Sequence, residues 1–376
     1  MSTNPRIYLD FNATAPIVPA ARSAMTAALA EVGNPSSIHA EGRRVRDLVE
    51  RARNQVAALV GRPREQVVFT SGGTEANALG VLALAAAVEQ QGGPRVAVTT
   101  AIEHPSLRGA VEALRPRGWE VRILRMPSDE EWAAALVGVG LVALGAVNHE
   151  LGTLADLPAI ALAARSAGGL VHVDAVQAAG KLAVDSIEAD AIAISAHKLG
   201  GPQGVGALAI SVDEGLPVVD GGHQERGRRP GTENTIGIVG FGAAAAAIDL
   251  ATWSEVVALG DRLERGLLAI EDVRIHGADR PRIGGTINAG FARALGESIV
   301  VALDLAGIAV STGAACTSGS VQPSAVLLGL GYAPDEAREA VRFSLGRSTT
   351  SGEIDRVLAA LPAIVDRARQ HRIKRT

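Results

Sequence analysis

The chain has 376 residues, a formal net charge of -4, and 47% hydrophobic against 20% charged residues; wholesale disorder is excluded, and the length suits two domains. An acidic balance with 3% aromatics supplies neither the basic face nor the stacking platforms that nucleic-acid binding needs. A single cysteine, Cys316, excludes an intrachain disulfide and a cysteine-rich metal site, and one unpaired thiol fits a reducing compartment. The first residues, MSTNPRIYLDFNATAP, show no basic start followed by an apolar stretch, and no apolar run is long enough to span a bilayer. The expectation is a soluble cytoplasmic protein without a metal.

In chain order, Ser36 and Ser37 are expected to cap a long amphipathic helix reaching about Leu59. Val67 to Thr70 reads as a short strand, and Ser71-Gly72-Gly73-Thr74 turns it into an Ala/Leu-rich helix ending near Gln90. Val96 to Thr99 is a strand, and Pro105 opens a helix at the favoured first-turn position. Leu141 to Val147 is a strand and Pro158 to Ala167 a helix. Leu170 to Val173, Ala191 to Ser195 and Gly206 to Ile210 follow as strands. Short, wholly apolar strands separated by helices predict a mainly parallel sheet covered on both faces. After about Ala251 the pattern changes to helices (Ser254 to Ile270, Pro334 to Val341, Ser351 to Arg369) around a few strands, including Gly285 to Ala289. The predicted fold is α/β: a large domain over 16–250 with a mainly parallel, seven-stranded type of sheet, and a smaller α+β domain from 1–15 and 251–376.

Most polar motifs fall at strand ends, where α/β sheets bind ligands. Ser71-Gly72-Gly73-Thr74-Glu75 can offer free backbone N–H groups and a helix N-terminus to a phosphate; an ordinary capped turn reads the same way. Asp174 ends the strand containing His172, with both on one face. It can pair with a buried cation or cap the next turn. Ser195-Ala196-His197-Lys198 also follows an apolar strand. A desolvated lysine amine is a nucleophile of the kind Schiff-base formation requires, though a plain loop lysine fits too. The chain has only three lysines. Lys181 and Lys374 read as surface residues, leaving Lys198 as the reactive one if any is. Cys316 lies in STGAACTSGS, among small polar residues that favour an available thiol, or an incidental surface one. Arg342 in RFSLGR offers a fork for a carboxylate, with a surface ion pair as its ordinary reading.

Together these stretches resemble the cysteine desulfurases with a long mobile cysteine loop, in the class V aminotransferase-like branch of fold-type I pyridoxal-phosphate enzymes. The matching segments are YLDFNATAP, GNPSSIH, FTSGGTEAN, the Glu103-His104 pair, VNHELG, VHVDAVQAAGKL, SAHKLGGPQGVGAL, GGHQERGRRPGTEN, STGAACTSGS and VRFSLGR. They occur in family order over nearly the whole chain. His149, His223 and a shorter stretch from Arg125 to Gly140 depart from the family pattern.

The resemblance implies pyridoxal 5'-phosphate as cofactor, with Lys198 tethering it and later acting as base. Asp174 is implied as partner of the ring nitrogen, and His104 as the imidazole stacked on the ring, so that Cys316, Lys198 and His104 form the catalytic set. Asn148 and Gln177 are implied as hydrogen-bond partners near the ring, with Gly73, Thr74, Ser195 and His197 as the phosphate cup. Thr232 would reach the phosphate from a second subunit, implying a homodimer. Arg342 would clamp the substrate carboxylate, and Asn34 would also contact the substrate. The implied reaction converts L-cysteine to alanine and leaves a persulfide on Cys316. With no second thiol in the chain, that sulfur must pass to an outside acceptor, a scaffold or carrier protein (as in iron–sulfur cluster assembly) or a small thiol. The alternatives are another activity on the same cofactor, aminotransferase or selenocysteine lyase, and a non-catalytic sulfur-assembly partner.

Overall fold

The computed structural model describes residues 5–125, 127–212, 220–313 and 322–373. Cys316, Thr317 and Lys374 lie outside the described residues. The chain forms two compact units: one of Ala15–Val147 and Ala155–Asp249, the other of Met1–Thr14, Asn148–Leu154 and Leu250–Thr376. The short segment Asn148–Leu154 therefore belongs with the smaller unit, although as sequence it lies within 16–250. Strand β1 (Ile7–Tyr8) opens the smaller unit.

The larger unit carries a seven-stranded sheet. Its strands are β2 (Val67–Thr70), β3 (Val96–Thr100), β4 (Glu120–Leu124), β5 (Leu141–Gly145), β6 (Leu170–Asp174), β7 (Ala191–Ser195) and β8 (Gly206–Ile210). The spatial order is β2-β8-β7-β6-β5-β3-β4. Only β8 runs against its neighbours, β2 and β7; the other pairings are parallel. β2 thus points the same way as β3, β6 and β7, and the ends of all four lie along one edge of the sheet. β2, β7 and β8 are buried at every residue, as parallel-type strands covered on both faces require.

Helices α1 (Pro19–Ala28) and α2 (Ala40–Val60) pack with the helix Thr235–Ala246. Helices α3 (Gly73–Gln90) and α4 (Pro105–Glu112) pack together and share an apolar core with the sheet through Leu79, Leu84, Leu107 and Leu141. α2 begins later than the serine signal indicated. Its cap is His39, whose Nδ1 accepts from Gly42 N at 3.3 Å. A histidine in that role lies outside the usual Ser/Thr/Asp/Asn set. In the smaller unit β9 (Val273–Ile275), β10 (Thr286–Phe291) and β12 (Ala340–Ser344) form an antiparallel sheet, while β11 (Ile308–Ala309) pairs with β1. Pro334 starts only a short helix, Pro334–Ala337, and the apolar run after it continues as β12 rather than as helix to Val341.

One buried ion pair ties three parts of the larger unit. Arg53 of α2 donates from Nη1 and Nη2 to Glu225 at 2.6 and 2.9 Å, and from Nη1 to Val67 O at 2.9 Å. Glu225 Oε2 also accepts from Phe69 N at 2.9 Å, so it satisfies a donor on the sheet's edge strand. Glu225 and Arg226 adopt left-handed backbone at φ 48° and 59°, an unfavourable state for residues with side chains, and the two-pronged Arg53 contact offsets that cost. Arg53→Met leaves a buried carboxylate without its cation, and stability is expected to fall by about 3–5 kcal/mol. Arg53→Met with Glu225→Gln, which removes the charge and keeps an acceptor for Phe69 N, is expected to recover much of this, as read from denaturant midpoints. Equal losses in the single and double variants would rule the pairing out as the cause.

Candidate active site

In the larger unit the ends of β2, β3, β6 and β7 bring the polar motifs together. β6 ends in Asp174, buried, its Oδ1 accepting from Val176 N at 2.9 Å and its Oδ2 from Asn77 Nδ2 at 2.7 Å. Burial pushes this carboxyl up, although both hydrogen bonds and the nearby charges of His104 and Lys198 pull it down. β7 ends in Ser195 and passes directly into a short turn holding His197 and Lys198, both half-buried. Burial lowers His197 to about 4, and the Lys198 charge adds to the effect. His104 follows β3 and caps α4, its Nδ1 accepting from Ser106 N at 3.1 Å. Although the residue as a whole is exposed, partial desolvation of its ring lowers its pKa; the Asp174 charge opposes this and the Lys198 charge reinforces it. Lys198 is thus felt by Asp174, His104 and His197 alike, which places these four side chains in one electrostatic neighbourhood.

Lys181 is not the surface residue its loop indicated. It is 7% exposed, and its Nζ donates to Gln177 Oε1 at 2.9 Å. The contact turns the amide group of Gln177 so that its Nε2 donors are directed elsewhere. Gln177 is itself buried. Elimination by exposure therefore does not separate the lysines; the charge neighbourhood of Lys198 does.

The donor set fits pyridoxal phosphate. A carboxylate buried at Asp174 suits a cationic ring nitrogen, because burial otherwise disfavours its charge. The hydroxyl of Ser195 is buried with no hydrogen-bond partner, an unmet capacity that a phosphate oxygen can meet. Beside it α3 starts at Gly72 without a side-chain cap, and a Cβ placed on Gly72 would meet nothing within 4 Å. The first N–H groups of α3, at Gly73 and Thr74, are therefore available to an anion. Thr74 and Thr232 are exposed, and so is Asn34, whose Oδ1 accepts from Ser36 N at 2.8 Å.

The smaller unit holds the remaining candidates. Arg342 on β12 is 5% exposed, not a surface residue. It donates from Nη2 to Asp10 Oδ1 at 2.7 Å and from Nη1 to His149 O at 3.0 Å. Its backbone pairs with Ser311, N to O at 2.6 Å, just before the segment that carries Cys316. Asn148 Oδ1 accepts from Glu150 N and Leu151 N, each at 3.0 Å. Burial pushes the Glu150 carboxyl up; it accepts from Ser324 Oγ at 2.5 Å, and a Cβ on Gly313 would lie 2.7 Å from its Oε2. Glu150 therefore touches the described residues on both sides of the Cys316 segment. Asn77, Lys181, His172 and Glu150 have no role in the sequence reading. The only available signal for Asn77 and Glu150 was their place inside the matched stretches FTSGGTEAN and VNHELG.

The family model for class-V aminotransferases matches residues 7–357. The chain is 42% identical to cysteine desulfurase 2 of Trichormus variabilis, covering 96% of this chain and 94% of that one. Among solved structures it resembles a NifS-like protein with a TM-score of 0.87 at 29% identity, over 96% of this chain and 99% of the other. SspA in complex with cysteine matches with a TM-score of 0.79 at 27% identity, over 92% and 100%. No single helix among the described residues is long and apolar enough to cross a membrane.

Glu103 precedes His104 and is only partly exposed as a residue. Burial of its carboxyl raises the pKa to about 7, against hydrogen bonds from Thr100 Oγ1 at 2.6 Å and Gly145 N at 2.8 Å, with the Asp174 charge adding to the rise. An acid whose folded pKa is raised binds more protons folded than unfolded, so its contribution falls as pH increases. Between pH 4.5 and about 7 the wild type is expected to lose up to about 3 kcal/mol relative to Glu103→Gln. The glutamine can accept from Gly145 N through its oxygen and donate to Thr100 Oγ1 through its nitrogen, and it does not ionise. Urea unfolding at several pH values reads this directly, and parallel curves for the two proteins would refute a buried neutral Glu103.

Proposed function

The chain belongs to the class-V aminotransferase family and, within it, to the cysteine desulfurases; on that premise we propose that it takes sulfur from L-cysteine, with Lys198 holding pyridoxal phosphate and Cys316 receiving the sulfur. Enzymes of this family depend on pyridoxal phosphate, and SspA, a structural relative, binds cysteine. The observation that carries the reading is the set Asp174, His104, His197 and Lys198 at the ends of β3, β6 and β7, with Ser195 and the open start of α3 beside it.

When bound, the cofactor supplies an electron sink that weakens bonds at the α- and β-carbons of an amino acid. Asp174 holds a proton on the ring nitrogen by offering it a carboxylate that burial leaves without solvent. Ser195, His197, Gly73 and Thr74 bind the phosphate; Gln177, oriented by Lys181, donates to the ring's phenolic oxygen, and Asn148 also serves the ring. Lys198 is the attachment point and the base for the α-proton, and His104 covers the ring and passes protons. Arg342 binds the carboxylate of cysteine, and Asn34 helps hold the substrate. The Cys316 thiolate attacks the substrate sulfur: the S–S bond forms, the C–S bond breaks, and the remaining carbon takes up a proton and leaves as alanine. A thiol with the ordinary pKa of about 8.5 is mostly protonated near neutrality, so the reaction requires local stabilisation of the thiolate.

A second copy of the chain completes the reading. Leu29, Val32 and Ile38 are 66%, 77% and 87% exposed within ten residues of one another, an apolar surface of the sort that partners cover. Thr232, also exposed, would serve the phosphate of that second copy. Having one cysteine, the chain gives its sulfur to an external acceptor, a protein or a small thiol, and works in the reducing cytoplasm.

Purified protein is expected to be yellow and to form one alanine per cysteine consumed. Brief exposure to cysteine is expected to add one sulfur to the Cys316 peptide in mass spectrometry. Lys198→Ala is expected to lose the visible band, and Cys316→Ala to lose alanine formation almost completely while keeping the colour. Undiminished alanine release from Cys316→Ala would assign the chemistry to a different activity on the same cofactor.

A further inference from the structure

His172 and Asn77 have no place in the reaction as proposed, yet each is a wholly buried polar residue of the larger unit, at 0% exposure. His172 lies two residues before Asp174 on β6 and so on the same face of the strand. Asn77 stands one turn into α3, the helix whose start is the open anion-binding end. His172 Nε2 lies 2.9 Å from Asn77 Oδ1. Asn77 Nδ2 donates to Asp174 Oδ2 at 2.7 Å and to Ser106 Oγ at 3.0 Å. Ser106 Oγ lies 2.7 Å from His104 Nδ1.

The direction of every bond in this chain follows from chemistry. The Asp174 carboxylate accepts, so it must face the amide NH2 of Asn77, and Asn77 Oδ1 must accept from His172. Burial lowers His172 to about 3, so near neutrality its ring is uncharged and carries one proton, which the bond to Asn77 places on Nε2. His172 Nδ1 is buried without a partner. Ser106 Oγ accepts from Asn77 Nδ2, and its own O–H can donate to His104 Nδ1. That nitrogen also accepts from Ser106 N, so the His104 proton sits on Nε2. The packing is specific to this arrangement. Gly80 lies one turn after Asn77, and a Cβ there would stand 2.5 Å from His172 Cε1 and 2.6 Å from Nδ1; only glycine lets the imidazole lie against α3.

We propose that His172, acting through Asn77, is a positioning residue that fixes the Asp174 carboxylate. His172 touches neither cofactor nor substrate in this account. With an apolar residue at position 172, the Asn77 carbonyl is buried without its donor, and that cost weakens the hold of Asp174 and Ser106 on the amide's orientation; a turned carbonyl would repel Asp174. The inference rests on the reading that Asp174 serves the ring nitrogen, and its test separates the two.

The test compares equilibrium binding of pyridoxal phosphate with that of its 1-deaza analogue, which lacks the ring nitrogen. Wild type is expected to prefer pyridoxal phosphate. His172→Leu and Asn77→Ala are expected to cut that preference by about tenfold, the scale of a lost charge-assisted hydrogen bond, while His172→Gln, which restores an N–H donor, retains it. General loss of structure would weaken both ligands equally and leave the ratio unchanged. An unchanged ratio in His172→Leu and Asn77→Ala overturns the relay and leaves Asp174's role standing. Absence of any preference in wild type overturns Asp174's role and the relay with it. Independently of any variant, nitrogen-15 spectra of the cofactor-free protein are expected to show His172 neutral and protonated on Nε2 from pH 5 to pH 8. An Nδ1-protonated or charged His172 would overturn the relay.

Discussion

Asp174 ends β6 with its carboxylate withdrawn from water, and the rest of the larger unit is arranged around that placement. A buried carboxylate is costly unless donors surround it. Two N–H groups, from Val176 and Asn77, reach its two oxygens, and burial still pushes its pKa up. A cation beside it would lower that cost, and a protonated pyridine ring is a cation the chain does not itself supply. Lys198, His104 and His197 lie close enough for their charges to interact with one another or with Asp174. The strand ends set this geometry because β2, β3, β6 and β7 point the same way, so their turns open along one edge.

The smaller unit answers a different requirement. Arg342 is committed to Asp10 and to the His149 carbonyl in a largely buried setting. These two contacts hold the planar guanidinium in one orientation. Glu150 meets Ser324 and Gly313, so one buried carboxyl supports the described residues before and after the segment that bears the thiol. Each unit has its own apolar core.

Much of this was readable from residues alone because its signals are local. Short apolar runs gave β2, β3, β5, β6, β7 and β8 but not β4, whose charged residues break the run; the glycine turn gave the start of α3, and Asp174 and Lys198 stood out as charged residues at or just past the ends of apolar strands. What escaped depends on contacts that no local pattern announces, most of them distant in sequence. Lys181 looked exposed in a short loop, but Gln177 four residues earlier holds its amine in the interior. Arg342 looked like any of many arginines until its pairing with Asp10, 332 positions away, appeared. Asn77 sits in an Ala/Leu-rich helix where one polar residue carries no pattern, and its bonds to His172 and Asp174 span 95 and 97 positions. The run after Pro334 has both helical and strand character, and pairing with β10 decides it as β12.

The central claim is that an imine at Lys198 holds the cofactor beside Asp174. Borohydride reduction of the protein after incubation with pyridoxal phosphate, followed by peptide mapping, tests it most directly. The account predicts the reduced phosphopyridoxyl group on Lys198 alone. Its appearance on Lys181 or Lys374 with Lys198 unmodified, or on no lysine at all, would contradict it.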